Sequence, residues 1–147
     1  MTKLETRNPK LEVAPALAIA PVGDFKDLDV WKLARNLRIM VYVLLKELPA
    51  EERFALNSQL RRAVQSIGAN IAEGFGRYSF QEHIQFCRQA RHAAYEVRDH
   101  LVTAVDASFI SRAEGEEADG LAQRVMRTLN GYIRSTIKRQ AESRKDR

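Results

Sequence analysis

His92, Glu96 and His100 stand four residues apart in succession, a spacing that stacks side chains on one side of a helix and can present metal ligands. Their neighbours argue against that use. Ala90, Ala94 and Val97 form the apolar stripe of the same segment, so the three project away from any core. Di-iron bundles instead turn Glu-x-x-His pairs inward on two helices, and this chain has no Glu-x-x-His. Cys87 falls on the apolar stripe, where a thiol acts as a small buried hydrophobe rather than a nucleophile. Glu51/Glu52 and Glu116/Glu117 sit near helix starts, where acids suit the helix dipole. Gly74-Phe75-Gly76 is too short to cradle a phosphate, and no hydrolytic triad is recognisable. These residues predict no enzyme, no metal and no cofactor.

Ionic chemistry remains. Arg124, Arg127, Arg134 and Lys138 share one side of a helical segment, with Gly131 among them and the apolar residues opposite. A second row, Arg88, Arg91 and Arg98, flanks Tyr95. Arg supplies 17 of the 24 basic residues, and its planar fork binds two phosphate oxygens at once. Both rows are candidates for nucleic acid. Such contact would fall on phosphates and carry little sequence preference. The chain's net charge is +5. A basic face permits a polyanionic partner without demanding one, so a protein-interaction scaffold in which charge serves solubility stays open.

Four helices must position these groups. Apolar spacing is helical throughout, with no sustained two-residue alternation. Helix 1 is expected from about Asp29 to Leu48, ahead of Pro49, with Val30, Leu33, Ala34, Leu37, Val41, Leu44 and Leu48 inward. Helix 2 begins within residues 50–58 and ends near Gly74 or Arg77, with Leu56, Leu60, Ala63, Val64, Ile67, Ile71 and Phe75 inward. Ser79-Phe80-Gln81-Glu82 predicts a capping box opening helix 3, and Ser111-Arg112-Ala113-Glu114 another opening helix 4. Long amphipathic helices with short links predict an all-α, antiparallel up-and-down four-helix bundle. It occupies residues 25–140, between a flexible N-terminal tail (1–24) and a charged, frayed tail (141–147). One cysteine precludes an internal disulfide and fits a reducing cytoplasm. No apolar run approaches the ~20 residues that span a bilayer.

The outward faces predict self-association. Trp31, Ile39, Tyr42 and Val43 lie roughly opposite the core stripe of helix 1. On helix 2, Gly68, Ala69 and Ala72 make an outer side of small residues, as though another backbone came close. Helix 2 also carries a polar row that includes Arg62, Asn70, Glu73 and Arg77, which reads as a structural network beneath a neighbouring subunit.

Phe25-Lys26-Asp27-Leu28-Asp29-Val30-Trp31, Pro49-Ala50-Glu51-Glu52-Arg53-Phe54, Ser58-Gln59-Leu60-Arg61-Arg62-Ala63, Ala69-Asn70-Ile71-Ala72-Glu73-Gly74 and Leu129-Asn130-Gly131-Tyr132-Ile133-Arg134-Ser135 carry a likeness. Together they resemble the four-helix-bundle family of proteins encoded in intervening sequences of bacterial 23S rRNA genes. That family includes the accessory variability protein of diversity-generating retroelements. The resemblance spans about residues 25–138. It implies a homopentameric ring without enzyme activity and, in the retroelement branch, binding of nucleic acid and of a reverse transcriptase. Gly68 stands where the family usually has Pro, and His83 where an aromatic is usual.

Overall fold

The structure is a computed structural model that describes residues 23–147; all but the end of the expected N-terminal tail lies outside them. Four helices follow in order: α1 (Asp29–Leu45), α2 (Leu56–Phe75), α3 (Phe80–Asp106) and α4 (Arg112–Lys145). Each packs on two neighbours, α1 on α2 and α4, and α3 on α2 and α4. Directions alternate, since Trp31 meets Gly68 while Leu45 meets Asn57, and Arg91 meets Asn130 while Arg98 meets Asp119. The architecture is a four-helix bundle.

The apolar period fills its centre. Leu37, Val41, Leu60, Ile67, Ile71, Val97, Leu101, Val125 and Leu129 are essentially inaccessible. Each helix presents a residue to this core every three or four positions, and removal of that apolar area from water is the main drive to fold. Phe75, expected inside, lies half-buried at the margin, as do Val105, Leu121 and Tyr132. Thr136 is buried and donates its hydroxyl hydrogen to the Tyr132 carbonyl at 2.9 Å, so its polarity is satisfied within its own helix.

Local chemistry sets the ends. Beyond Leu45 the chain tightens into i→i−3 bonds through Leu48, and the Asn57 side chain donates to the Leu45 carbonyl at 3.3 Å. Ser111 and Glu114 form the reciprocal capping box, with bonds of 3.1 and 2.9 Å. The box at Ser79 is only half made. The Ser79 hydroxyl accepts from the Glu82 amide at 3.4 Å, but Glu82 does not return a bond. α3 ends in a Schellman motif: the Phe109 amide donates to Ala104 and the Ser108 amide to Val105, both at 2.9 Å. Ser108 takes the left-handed position at φ 61°.

α4 departs most from expectation. It has 34 residues and stays helical through Lys145, so the segment expected to fray is nearly all helix. Gln and Glu at 140 and 142 favour helix, and Arg144 and Lys145 suit its negative end.

Candidate functional site

α4 exposes Arg124, Arg127, Arg134 and Lys138 to solvent. At 100° per residue they fall within about 80° of arc, roughly opposite Val125, Leu129 and Ile133. Gly131 lies in the same arc, and the Arg134 guanidinium passes 3.8 Å from where a Cβ would stand. Among the described residues the ion pairs are Arg77–Glu73 and Arg98–Asp119, so none of the four α4 cations is neutralised by a carboxylate.

The second basic row is divided. Arg88 is exposed. Arg91 donates to Asn130 Oδ1 at 2.9 Å, and Arg98 Nε donates to Asp119 Oδ1 at 2.7 Å with both side chains about 30% exposed. Asp119 also accepts from Gln123 at 2.7 Å. Arg91 and Arg98 therefore bind α3 to α4, and their guanidinium groups are engaged within the subunit. Their partners lie 39 and 21 residues along the chain, beyond the reach of any local pattern.

The residues of the expected oligomer face are only partly exposed within the subunit. Ile39 and Val43 are about half exposed, and Ala69 is exposed. Trp31 is half-buried, set edge-on to Phe25 with centroids 5.3 Å apart. Its indole lies 3.6 Å from the position a Cβ on Gly68 would take, and Gly68 is buried. The group that comes close to Gly68 is Trp31 of its own chain. Tyr42 likewise turns to α2, accepting a hydrogen bond from Gln65 Nε2 while the Arg61 guanidinium lies 4.9 Å from its ring centroid. Ala72 is half-buried.

The polar row of α2 makes short links along its own helix. Arg77 meets Glu73 at 3.3 Å with both side chains largely exposed, Arg62 donates to Ser58 Oγ at 3.3 Å, and Asn70 donates to the Ser66 carbonyl at 2.8 Å. An exposed i,i+4 pair contributes about 0.3–0.5 kcal/mol. Within one subunit, this is a set of surface braces rather than a buried network.

Arg62, Ser66 and Asn70 also face His92, Glu96 and His100 across a groove of about 600 Å³ between α2 and α3, floored by Ala63 and Ala93. Each row shows in the sequence; their meeting depends on inter-helix register, which does not. His92 and His100 are eight residues apart, about 12 Å along the axis, so they cannot share one ion.

Cys87 is buried, with Sγ 3.9 Å from His83 Nε2, and burial pushes its thiol up to about 11. Burial thus disfavours the thiolate, which is the nucleophilic form. His83 Nδ1 lies 2.8 Å from the Gly74 carbonyl, joining the end of α2 to the start of α3. At the opposite end of the bundle Glu47 meets Glu114. A hydrogen bond between the carboxyls raises Glu47 above its ordinary range, while the Ser111 bonds hold Glu114 below it. No described helix is long and apolar enough to cross a membrane.

The family model for the 23S rRNA-intervening sequence protein matches residues 26–131. The solved structure of a protein of unknown function from the S23 ribosomal protein family of Bacteroides thetaiotaomicron VPI-5482 is similar, with a TM-score of 0.66 and 25% identity. The similarity covers 71% of this chain and 97% of that one. No curated protein matches. The matched stretch runs from the turn before α1 into the heart of α4 and takes in all four helices, so the chain belongs to the 23S rRNA-intervening sequence protein family.

Proposed function

We propose that this protein is a non-enzymatic scaffold that assembles with copies of itself, as a ring of five, and binds nucleic acid along the exposed face of α4. The observation that carries the reading is the alignment of Arg124, Arg127, Arg134 and Lys138 on one solvent-facing side, without a carboxylate partner among the described residues. Repetition of that face around a ring would raise the apparent affinity through multiple attachment. A reverse transcriptase is the protein partner proposed for such an assembly in a retroelement setting.

Titration of duplex DNA and duplex RNA over a range of salt tests the reading. Arg127→Gln with Arg134→Gln should weaken binding on all sequences alike. The slope of log affinity against log salt should flatten by about 0.9 for each duplex phosphate that is no longer neutralised. Absence of binding by the unmodified protein at low salt would favour the other reading, a scaffold for proteins alone. What supports that alternative is the exposure of Ile39 and Val43 on α1.

A further inference from the structure

The charge of this chain is distributed unevenly along α4. Residues 132–147 hold six basic side chains and two acidic ones, a net of +4 out of the whole chain's +5. Everything before them is close to neutral. The family model matches no further than residue 131, so nearly all of the positive excess lies beyond the matched stretch.

The packing changes in the same segment. Thr136 is the last buried residue of α4, and none of the nine residues from Ile137 to Lys145 is buried. These nine extend about 13 Å as helix. Lys138, Arg139, Arg144 and Lys145 are all exposed. Basic residues in a last helical turn suit the macrodipole, and Arg144 and Lys145 meet that need. Lys138 and Arg139 stand almost two turns earlier, outside the range of that effect.

The segment has too little apolar surface for a lipid bilayer. A membrane-surface helix buries a broad apolar face, and here Ile137 is the one exposed large hydrophobe. Cations on several sides of an unpacked helix instead suit the phosphate walls of a duplex, which admits a helix of about 10–12 Å diameter in its B-form major groove.

We infer that the C-terminal segment beyond the family match, residues 132–147, is the chief phosphate-binding element of this protein, with the part from Ile137 onward an unpacked arm that the bundle holds out. The inference rests on the nucleic-acid reading above and narrows it to one part of the helix.

The test uses the full chain and a fluorescent 30-base-pair duplex, as DNA and as RNA of the same sequence. The fourfold variant Arg139→Gln, Arg144→Gln, Lys145→Gln, Arg147→Gln alters exposed side chains, of which Arg139 also donates to Thr136 Oγ1 at 3.3 Å, so a thermal melt is recorded beside each titration and should be nearly unchanged. Its affinity at ~0.1 M salt should fall roughly tenfold or more, and its salt slope should flatten by up to about 3.6 if each cation meets a phosphate. Arg124→Gln with Arg127→Gln should lose less. Charge-preserving Arg139→Lys, Arg144→Lys, Arg147→Lys should keep binding; its loss would trace the effect to the helix rather than its charge and overturn the inference. An equal or greater loss in the Arg124/Arg127 variant would overturn the arm while leaving the nucleic-acid reading in place. Failure of the unmodified protein to bind either duplex would remove both. Binding to vesicles of anionic lipid in preference to either duplex would overturn the arm's assignment to nucleic acid.

Discussion

Three glycines show how far a residue's identity can be read without its surroundings. Gly68, Gly74 and Gly115 all lie in helices and are all buried. In sequence, Gly68 suggests a close neighbouring backbone and Gly74 a helix stop, while Gly115 attracts no notice. In the structure a Cβ on Gly115 would stand 2.4 Å from Val105 Cγ2, and one on Gly74 would stand 2.9 Å from Phe86 Cβ. Those two let α3 approach α4 and α2. A Cβ on Gly68 would meet the Trp31 indole at 3.6 Å, an ordinary contact. The same substitution therefore has opposite signs. Gly68→Ala should stabilise by up to about 1 kcal/mol, the helix-propensity difference. Gly115→Ala should destabilise by about 1–3 kcal/mol through overpacking. Urea unfolding of both variants checks the pair, and matching signs would refute the packing argument. Ser108 supplies a simpler case. It occupies the left-handed Schellman position at φ 61°, which costs a non-glycine residue roughly 1 kcal/mol. Ser108→Gly should raise the unfolding free energy by about 0.5–1 kcal/mol, less the entropy that glycine adds to the unfolded chain.

At the scale of the element, apolar periodicity is a sound guide and ionic pattern is not. The inward stripes of all four helices follow the 3.6-residue period, because burial of a contiguous stripe is the strongest constraint on an amphipathic segment. Charged side chains obey no such constraint. Arg91 and Arg98 look like part of a basic surface until α4 brings Asn130 and Asp119 to them. Within one subunit Glu73 and Arg77 form a largely exposed pair, which only a neighbouring copy would bury. The two pairs should answer mutation differently. Asp119→Ala should cost about 1–2 kcal/mol, because it strands half-buried Arg98 and removes the acceptor of Gln123. Glu73→Ala should cost no more than about 0.5 kcal/mol. Thermal melts of the two variants side by side decide the matter; a larger loss for Glu73→Ala would mean that an assembled neighbour covers the α2 row.

For the whole molecule, the fold class and family were legible and the layout of the candidate surface only partly so. The helix count, order and core followed from spacing and caps. The α2–α3 groove and the extent of α4 did not, because they depend on how helices slide against one another. The proposed assembly has a direct check. Ile39 and Val43 are the exposed apolar residues of α1, so Ile39→Asp should shift the protein toward monomer in light scattering while leaving the helical circular dichroism nearly unchanged. A monomer for the unmodified protein would refute self-association through this face. The placement of Trp31 has a practical consequence. It is the sole tryptophan of the chain, half-buried between Phe25 and Gly68 where the first turns of α1 meet α2. Its emission is an intrinsic gauge of that seam, with no label needed. Opening of the α1–α2 seam should red-shift the fluorescence and admit iodide quenching, whereas loosening at the far end, around Glu47 and Glu114, should leave the spectrum silent.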